Sequence, residues 1–355
     1  MDNPFKTNKR PFVIAGPCSA ESPEQLSATV KSLTKIPDIS LIRCGIWKPR
    51  TRPGGFEGHG EQALRWIQDI RKTYPATEQP RFCCEVARPE HVSLALRYGI
   101  DAVWIGARTT VNPFMVGEIA ESLKGCHMAV MVKNPISPDV RLWIGAIERI
   151  RQSGITSIAA IHRGFYTYND KSGYRNNPIW EVPLELRKEM PEIPILCDPS
   201  HIGGRRELIL PIMQTAANMG VDGYMIECHH KPEDALTDPE QQITPVKIQE
   251  LLSNIKERSN IEIADEQLSD LRRQIDQIDA EIIHQLSQRM QISKEIAQIK
   301  TELNLTIFQP NRYRQVVEQR IALAESLGLS PKLIKDLYEK IHAESVKIQE
   351  QGSYL

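Results

Sequence analysis

Eight short apolar runs, separated by stretches with helical periodicity, occupy the first 230 residues of this 355-residue chain. The runs are residues 11–19, 39–46, 81–86, 101–107, 128–134, 157–163, 194–200 and 222–229. Continuous apolar runs of this length are typical of parallel strands that are buried on both faces. Eight strand–helix units in about 250 residues predict a (β/α)8 barrel. A doubly wound open sheet is the alternative, and it would separate Cys18 from Glu227.

Side chains that bind metals lie at or just after the ends of the first, seventh and eighth runs. They are Cys18, His201, Glu227 and Asp238. In a closed barrel the first and last strands are neighbours, so this thiol, imidazole and pair of carboxylates would converge on one point. Such a mixed set of sulfur, nitrogen and oxygen ligands suits a divalent cation. The pattern therefore predicts a metal site at one end of the barrel.

Composition excludes several classes of partner and location. A formal net charge of −1 gives no basis for binding nucleic acid or an anionic membrane surface. No apolar run approaches the ~20 residues that span a bilayer, and the N-terminal segment lacks the layout of a signal peptide. Most of the seven cysteines fall within strand-like runs. This indicates reduced thiols and a cytoplasmic protein rather than a disulfide framework.

A second domain is predicted after the barrel, because strand signals end there. We expect the barrel at residues 1–258, a linker at 259–266 and an all-helical domain at 267–355. Apolar residues from Leu268 to Leu303 recur three and four positions apart, which predicts one helix of almost 40 residues, roughly 58 Å long.

Two shorter helices are expected after the long one. Pro310 and Pro331 suit the first turns of these helices, and Gly328 suits the end of the earlier one. A long helix with two shorter companions cannot bury its apolar stripe within one chain. We therefore expect a homodimer formed through the helical domain.

Cationic and polar residues follow most of the barrel strands. They are Arg43, Lys48, Arg50, Thr51, Arg108, Lys133, His162 and Arg163. The C-terminal ends of barrel strands are where the active site of such a fold lies. Because arginine binds phosphate and carboxylate with a fork of donors, this set predicts small anionic substrates beside the metal.

Seven ordered motifs, AGPCS, KPRT, GART, VKN, IHRGF, DPSH and IECH, resemble those of the short, microbial-type 3-deoxy-D-arabino-heptulosonate 7-phosphate (DAHP) synthases. The resemblance covers residues 11 to about 255 and implies condensation of phosphoenolpyruvate with erythrose 4-phosphate. Related sugar-acid phosphate synthases, which take a pentose-phosphate acceptor, share the barrel and the phosphoenolpyruvate site. The KPRT motif at residues 48–51 favours erythrose 4-phosphate.

The resemblance also implies roles for individual residues. One divalent ion, for which Mn, Fe, Co and Zn are candidates, would be held by Cys18, His201, Glu227 and Asp238. Phosphoenolpyruvate would be bound by Arg43, Lys48, Arg108, Lys133 and Arg163. Erythrose 4-phosphate would be bound by Arg50 and Thr51, and the candidates for catalytic proton transfer are Lys48, Glu85 and His162. Family members with an N-terminal regulatory domain have extra residues before the first strand, so feedback control is expected from another part of this chain.

Two cations on the long predicted helix lie on one face. Arg289 and Lys300 are 11 residues apart, which places them about 16 Å apart along the axis. Two long side chains can reach inward over that separation to hold one small dianion. Arg272 lies 17 residues before Arg289, roughly 25 Å away, so only the same residue of an antiparallel partner would reach that ligand.

The segment LRRQIDQIDAEIIHQLSQRMQISKEIAQIK and the later ESVKIQ resemble the all-helical chorismate mutases, over about residues 268–350. The resemblance implies that chorismate and its product prephenate bind to Arg272 of the partner subunit and to Arg289, Lys300, Gln309, Arg312, Ser345 and Gln349. Gln309 and Tyr313 stand where acids are frequent in the family. The rearrangement needs no metal, only a held conformer and stabilisation of charge on the ether oxygen.

The leading hypothesis is a bifunctional enzyme with both activities. The alternatives are a synthase whose helical domain only senses ligands and dimerises, and a related synthase with another acceptor. We further expect prephenate to inhibit the synthase by binding at Arg289 and Lys300, with movement at the linker near residues 256–266.

Overall fold

Eight parallel strands form a closed barrel in the computed structural model of this chain. The structure describes residue 5 and residues 11–48, 54–256 and 266–352. The strands are β1 (Phe12–Gly16), β2 (Ile39–Cys44), β3 (Phe82–Val86), β4 (Ala102–Ile105), β5 (Ala129–Lys133), β6 (Ile158–His162), β7 (Ile195–Cys197) and β8 (Gly223–Glu227). Each strand pairs with its sequence neighbours and β1 pairs with β8, so the predicted (β/α)8 barrel is confirmed and the open sheet is wrong.

The chain divides into two compact units, Met1–Asn260 and Ile261–Leu355. The α-helices described in the first unit are α1 (Pro23–Leu33), α2 (Glu61–Lys72), α3 (Pro89–Arg97), α4 (Ala107–Thr110), α5 (Pro113–Ser122), α6 (Val140–Gln152), α7 (Glu181–Glu189), α8 (Pro199–Gly203), α9 (Ile209–Asn218) and α10 (Pro245–Asn254). Two single 3-10 turns lie at Arg206–Leu208 and Pro232–Asp234.

Several of these helices begin with a short polar residue followed by proline. The Ser22 hydroxyl accepts a hydrogen bond from the Gln25 amide at the start of α1, over 3.1 Å. Asp198, directly after β7, caps α8 in the same way by accepting from the His201 amide over 3.0 Å. Such caps satisfy amides that have no partner in the first helical turn. The cap on α8 fixes the position of His201 at the C-terminal end of the barrel.

Side chains inside the barrel change from apolar to charged along the strands. One apolar cluster fills the interior, and it consists of Phe5, Phe12, Ile14, Leu41, Cys83, Ala102, Trp104, Ala129, Met131, Ala159, Ile161, Leu196 and Met225. Charged residues occupy the next inward positions toward the C-terminal strand ends, and those that are buried are Arg43, Lys133, Asp198 and Glu227. A second apolar cluster packs between the strands and the surrounding helices. Every second residue of a strand points inward, and these inward residues are apolar in the middle of the barrel and charged at its C-terminal end.

The first and last strands close the barrel in a register that brings distant residues together. Gly16 of β1 lies opposite Glu227 of β8, and the Cys228 amide donates a hydrogen bond to the Gly16 carbonyl over 2.8 Å. The backbone amide of Cys18 in turn donates to the side chain of Gln242 over 3.0 Å. The closure therefore places Cys18 beside the end of β8.

The second unit consists of helices in the part of the chain that the structure describes. They are α11 (Glu266–Glu302), α12 (Pro310–Ser326) and α13 (Pro331–Gly352). The long helix has 37 residues, close to the predicted length. Asn304 follows it in the left-handed region, with φ of 54°, and Gly328 follows α12 with φ of 74°. Asparagine and glycine tolerate this conformation, which ends a helix.

The long helix carries an apolar stripe that is exposed in the part of the chain that the structure describes. The side chains in this stripe that are each more than half exposed include Leu271, Ile275, Ile278, Ile282, Ile292 and Ile299. Large exposed apolar surfaces are unusual on monomers.

No helix among the described residues is long and apolar enough to cross a membrane.

Candidate active sites

Three of the predicted metal ligands converge at the C-terminal end of the barrel. The ligand atoms of Cys18, Glu227 and Asp238 all lie within 4.8 Å of one another. The Cys18 Sγ atom is 3.3 Å from Asp238 Oδ2. The fourth predicted ligand, His201, has its Nε2 atom 3.8 Å from Glu227 Oε1. The structure therefore brings together all four residues that the sequence predicted.

The arrangement around His201 is typical of a metal-binding imidazole. Its Nδ1 atom lies 2.7 Å from the Asp198 carboxylate, while Nε2 faces Glu227. Histidine ligands commonly donate their second ring nitrogen to a carboxylate, which fixes the tautomer and the ring orientation. Burial lowers the pKa of His201, although Asp198 opposes that shift, so the neutral ring that a metal requires is favoured.

Burial and neighbouring charges shift the pKa values of the acid and the thiol in this cluster. Burial by itself raises the pKa of Glu227, but His201 in its protonated form and the Arg43 guanidinium outweigh it and lower the pKa to about 2. Burial, helped by Glu227, raises the pKa of Cys18 to about 12, so the thiol is protonated. A bound dication would favour the thiolate instead. Two carboxylates, one thiol and one imidazole, all of them partly or fully buried, fit a divalent cation in number and chemistry.

A cavity of about 470 Å³ opens beside the metal-ligand cluster. Its lining residues are Lys48, Glu85, Gly106, Ala107, Arg108, Lys133, Ile136, Arg163, Tyr166, Arg175, Asn176, His201 and Asp238. Cations therefore outnumber acids on its wall, which suits an anionic ligand.

Four of the five predicted phosphoenolpyruvate ligands line this cavity, and the fifth is buried next to the metal cluster. Lys48 donates to Cys18 Sγ over 3.0 Å, so it joins the cavity to the cluster. Lys133 pairs with Asp198 over 2.8 Å. Arg43 does not line the cavity; its guanidinium pairs with Glu227 Oε1 over 2.9 Å.

The two predicted proton-transfer candidates on β3 and β6 have different surroundings. Glu85 lines the cavity and accepts a hydrogen bond from the Trp104 indole over 3.1 Å. His162 is not among the lining residues; it is buried against the rings of Phe165 and Trp180. Strand alternation explains the difference, because Arg163 points into the barrel and its neighbour must point outward. Arg50 and Thr51 lie outside the described residues.

Residues in two loops complete the site, and the sequence pattern did not identify them. Arg175, in the loop between β6 and α7, donates to Asp238 Oδ1 over 3.0 Å. Gln241, in the loop after β8, donates to Glu227 Oε2 over 2.5 Å. Asn176 accepts from Arg163 over 2.7 Å. Neither loop has a periodic pattern, and the only available signal was their position after strands six and eight.

A second polar cluster lies in the helical unit. The Arg289 guanidinium donates a hydrogen bond to the Ser345 hydroxyl. Lys300 donates to the side-chain oxygen of Gln349 over 3.1 Å. The first and third helices of this unit thus bring together four of the residues expected to bind chorismate.

The remaining predicted residues of this cluster are more exposed. Arg272 and Gln309 are exposed, and Arg312 is exposed and donates to Gln315 over 3.0 Å. His342, which the sequence did not single out, has its ring 4.4 Å from that of Tyr313. Burial, with the charges of Arg289 and Lys300, lowers the pKa of His342.

Two protein families match the chain, and they divide it near the boundary between the two compact units. Residues 6–262 match the model of the DAHP synthetase I family, and residues 271–350 match chorismate mutase type II. The phospho-2-dehydro-3-deoxyheptonate aldolase of Thermotoga maritima is 32% identical over 244 residues, which cover 69% of this chain and 68% of that protein.

Solved structures and fused enzymes extend these similarities. A crystal structure of phospho-2-dehydro-3-deoxyheptonate aldolase (DAHP synthase) from Thermotoga maritima superposes with a TM-score of 0.59 at 28% identity, covering 68% of this chain and 67% of that one. The bifunctional chorismate mutase/prephenate dehydratase of Aquifex aeolicus is 32% identical over 89 residues, which are 24% of this chain and 25% of that protein. The chain therefore belongs to the DAHP synthetase I family and joins a DAHP synthase domain to a chorismate mutase domain in one enzyme.

Proposed function

We propose that the barrel condenses phosphoenolpyruvate with erythrose 4-phosphate and water, forming DAHP and releasing phosphate, in a reaction that depends on one divalent metal ion. The observation that carries this proposal is the convergence of Cys18, Glu227, Asp238 and His201 at the wall of a cation-lined cavity. The family is generally metal-dependent. Mn, Fe, Co and Zn are the candidates, because each accepts sulfur, nitrogen and oxygen ligands.

In this proposal the cavity cations hold phosphoenolpyruvate. Arg108, Lys133 and Arg163 face one space, and a guanidinium fork matches both phosphate and carboxylate. Burial lowers the pKa of Arg163 to about 10, so it stays charged at neutral pH. These fixed charges stabilise the negative charge that shifts on the phosphate and carboxylate as the enol carbon attacks the aldehyde.

Lys48 lies between the metal ligands and the anion-binding wall. Its ammonium group donates to the Cys18 carbonyl over 2.8 Å as well as to the thiol. This position suits a proton donor to the oxygen of the acceptor aldehyde, with Glu85 as a second candidate on the same wall. A divalent cation held here would act as a Lewis acid on that aldehyde. We keep Arg50 and Thr51 as the proposed acceptor-phosphate ligands on the sequence motif alone.

We propose that the helical unit converts chorismate to prephenate at Arg289, Lys300, Ser345 and Gln349. The contacts of the two cations with Ser345 and Gln349 support this assignment. Held cations and amide donors can fix a compact dianion and stabilise charge on its ether oxygen. Gln309 and Arg312 would close over the same ligand.

We propose that this unit forms a homodimer and that Arg272 of the partner subunit completes each mutase site. The exposed stripe on α11 supports the dimer, since burying it removes apolar surface from water.

We further propose that prephenate inhibits the synthase by binding at Arg289 and Lys300, because product and substrate carry the same two carboxylates. The unpaired state of all seven cysteines supports a reducing, cytoplasmic location.

The test measures both activities of the full chain with and without a chelator. We expect chelation to abolish phosphoenolpyruvate consumption with erythrose 4-phosphate and to leave chorismate conversion unchanged, because the metal ligands belong to the barrel. Cys18→Ala should have the same selective effect. Full synthase activity in chelator, or in Cys18→Ala, would show that the proposed metal dependence is wrong. No conversion of chorismate would favour a helical unit that only senses ligands, and a preference for a pentose phosphate would favour a related synthase.

A further inference from the structure

Two side chains outside the predicted ligand set connect two of the proposed metal ligands. Gln241 is 1% exposed. Its amide nitrogen donates to Glu227 Oε2 over 2.5 Å, and its amide oxygen accepts from the Arg175 guanidinium over 2.5 Å. A carboxylate only accepts and a guanidinium only donates, so these partners allow a single orientation of the amide. Gln241 is therefore held in place by both of its neighbours.

The connection continues from Arg175 to the second carboxylate. The same guanidinium nitrogen that contacts Gln241 also donates to Asp238 Oδ1 over 3.0 Å. Asp238 has φ of 48°, in the left-handed region that aspartate visits more readily than most residues. A continuous path of hydrogen bonds thus runs from Glu227 through Gln241 and Arg175 to Asp238.

This path occupies one oxygen of each carboxylate and leaves the other oxygen facing the cluster. The second oxygen of Glu227, Oε1, is 3.8 Å from His201 Nε2 and also accepts from the Arg43 guanidinium over 2.9 Å. The second oxygen of Asp238, Oδ2, is 3.3 Å from Cys18 Sγ. The two oxygens that are not held by Gln241 and Arg175 are therefore the ones that meet the thiol and the imidazole.

We infer that Gln241 and Arg175 are positioning residues that orient the carboxylates of Glu227 and Asp238 for a divalent cation, an inference that rests on the proposed metal dependence. Arg175 is attracted to the Asp238 carboxylate, although its positive charge would repel a dication bound nearby. Arg175 also lines the cavity, where it would contact a substrate anion. Measuring metal binding without substrate separates the two roles.

The test uses two substitutions that keep the net charge. Gln241→Leu removes both hydrogen bonds of the amide, and Arg175→Lys keeps the charge but loses the planar fork. Calorimetric titration of the metal-free full chain with Mn²⁺, without substrate, should show about 10- to 100-fold weaker binding in each variant, as for other residues that orient metal ligands. With Co²⁺, the visible absorption bands should shift, because the coordination geometry changes.

Matched controls come from the same chain. Gln214→Leu removes an amide that is bonded at both ends to the Lys256 backbone, and Arg205→Lys changes an arginine that donates to the Gly173 carbonyl. Both controls should bind Mn²⁺ like the original protein. Chorismate conversion by each variant reports on the folding of the other unit, and thermal unfolding reports on the barrel.

The possible outcomes separate this inference from the proposed function. Wild-type affinity and an unchanged Co²⁺ spectrum in both variants would overturn the positioning role. Failure of the unsubstituted protein to bind any divalent ion would overturn the metal dependence itself. If Gln241→Leu does not fold, Arg175→Lys decides the question, because Arg175 has a partly exposed side chain and its replacement leaves the barrel core intact.

Discussion

Lys300 donates a hydrogen bond to the side-chain oxygen of Gln349 over 3.1 Å, so helices α11 and α13 meet through a cation and an amide. The Lys300 ammonium group also donates to the Ile307 carbonyl. This lysine is thus held by the protein itself, and in the proposed mutase site little reorganisation would be needed when charge develops on a bound ether oxygen.

The first prediction follows from this contact. Lys300→Ala should lower the turnover of chorismate by about 10²- to 10³-fold, as expected for loss of one fixed donor to a developing negative charge. The assay is the disappearance of chorismate, with synthase activity measured on the same preparation. Lys294→Ala, an exposed lysine on the same helix, is the control and should be nearly normal. Equal activity of both variants would remove Lys300 from the site.

A second prediction concerns the shared site of the proposed dimer. Arg272→Ala and Arg289→Ala should each be almost inactive as mutases, because each removes a guanidinium from every site. A mixed dimer of the two variants should recover activity in one of its two sites, since one site then receives both arginines. The measurement is activity after the two variants are unfolded together and refolded. Intact mixed dimers with no recovered activity would argue against sites shared between subunits.

Gly106 gives a third prediction, on the synthase. A Cβ atom at this position would lie 2.1 Å from Glu85 Oε1, so Gly106→Ala must displace a carboxylate that lines the cavity. We expect synthase activity to fall about 10- to 100-fold, since a shift of about 1 Å in a site can have this effect. Chorismate conversion should not change. Gly117→Ala is the matched control, because a Cβ there meets no atom within 4 Å. Normal synthase activity in Gly106→Ala would show that the position of Glu85 does not matter.

The fourth prediction concerns acid stability and His162. Burial, with a contribution from Arg163, lowers the pKa of His162 to about 3. The unfolded chain binds this proton near pH 6.5 and the folded chain does not, so unfolding becomes easier as the pH falls from 6.5 toward 3. The loss for this group is about 1.4 kcal/mol for each pH unit in that window. Above pH 6.5 the group has no effect, because it is neutral in both states.

Replacing the ring tests this effect. Between pH 7 and pH 5, the free energy of unfolding of His162→Phe should fall by about 2 kcal/mol less than that of the original protein. The measurement is urea unfolding followed by tryptophan fluorescence, which reports on the barrel because all five tryptophans lie there. His127→Phe, at an exposed position, should show the original pH dependence. A parallel pH dependence in His162→Phe and the original protein would refute the assigned titration.

The fold and most of the synthase site could be predicted because both depend on regular elements. Cys18 follows β1 and Glu227 ends β8, the two strands that close the barrel, and parallel strands carry their C-terminal residues to one end. Lys133 ends β5 and Arg163 directly follows β6, and the alternation along each strand decides which of these side chains point inward. The same rule, applied to neighbouring positions, would have placed His162 outside the barrel.

The loop residues of the site could not be predicted in the same way. Arg175 and Gln241 lie in loops whose course depends on tertiary contacts, not on a local repeat. The sequence around Gln241 does not indicate that this uncharged side chain will be buried beside a carboxylate. Arg43 remains a predicted substrate ligand, and its guanidinium pairs with Glu227 over 2.9 Å, because a buried cation needs a nearby acid.

The pairing of β1 with β8 determines when the synthase site can form during folding. Cys18 and Asp238 are separated by 220 residues of chain, and their contact exists only once the last strand has docked against the first. During synthesis on a ribosome, most of the barrel must therefore emerge before Cys18 can contact Asp238. Contacts such as that of Cys18 with Asp238 stabilise the closed barrel, because they cannot form until β1 and β8 have paired. Binding of the proposed metal ion by Cys18 and Asp238 would therefore be coupled to the closure of the barrel.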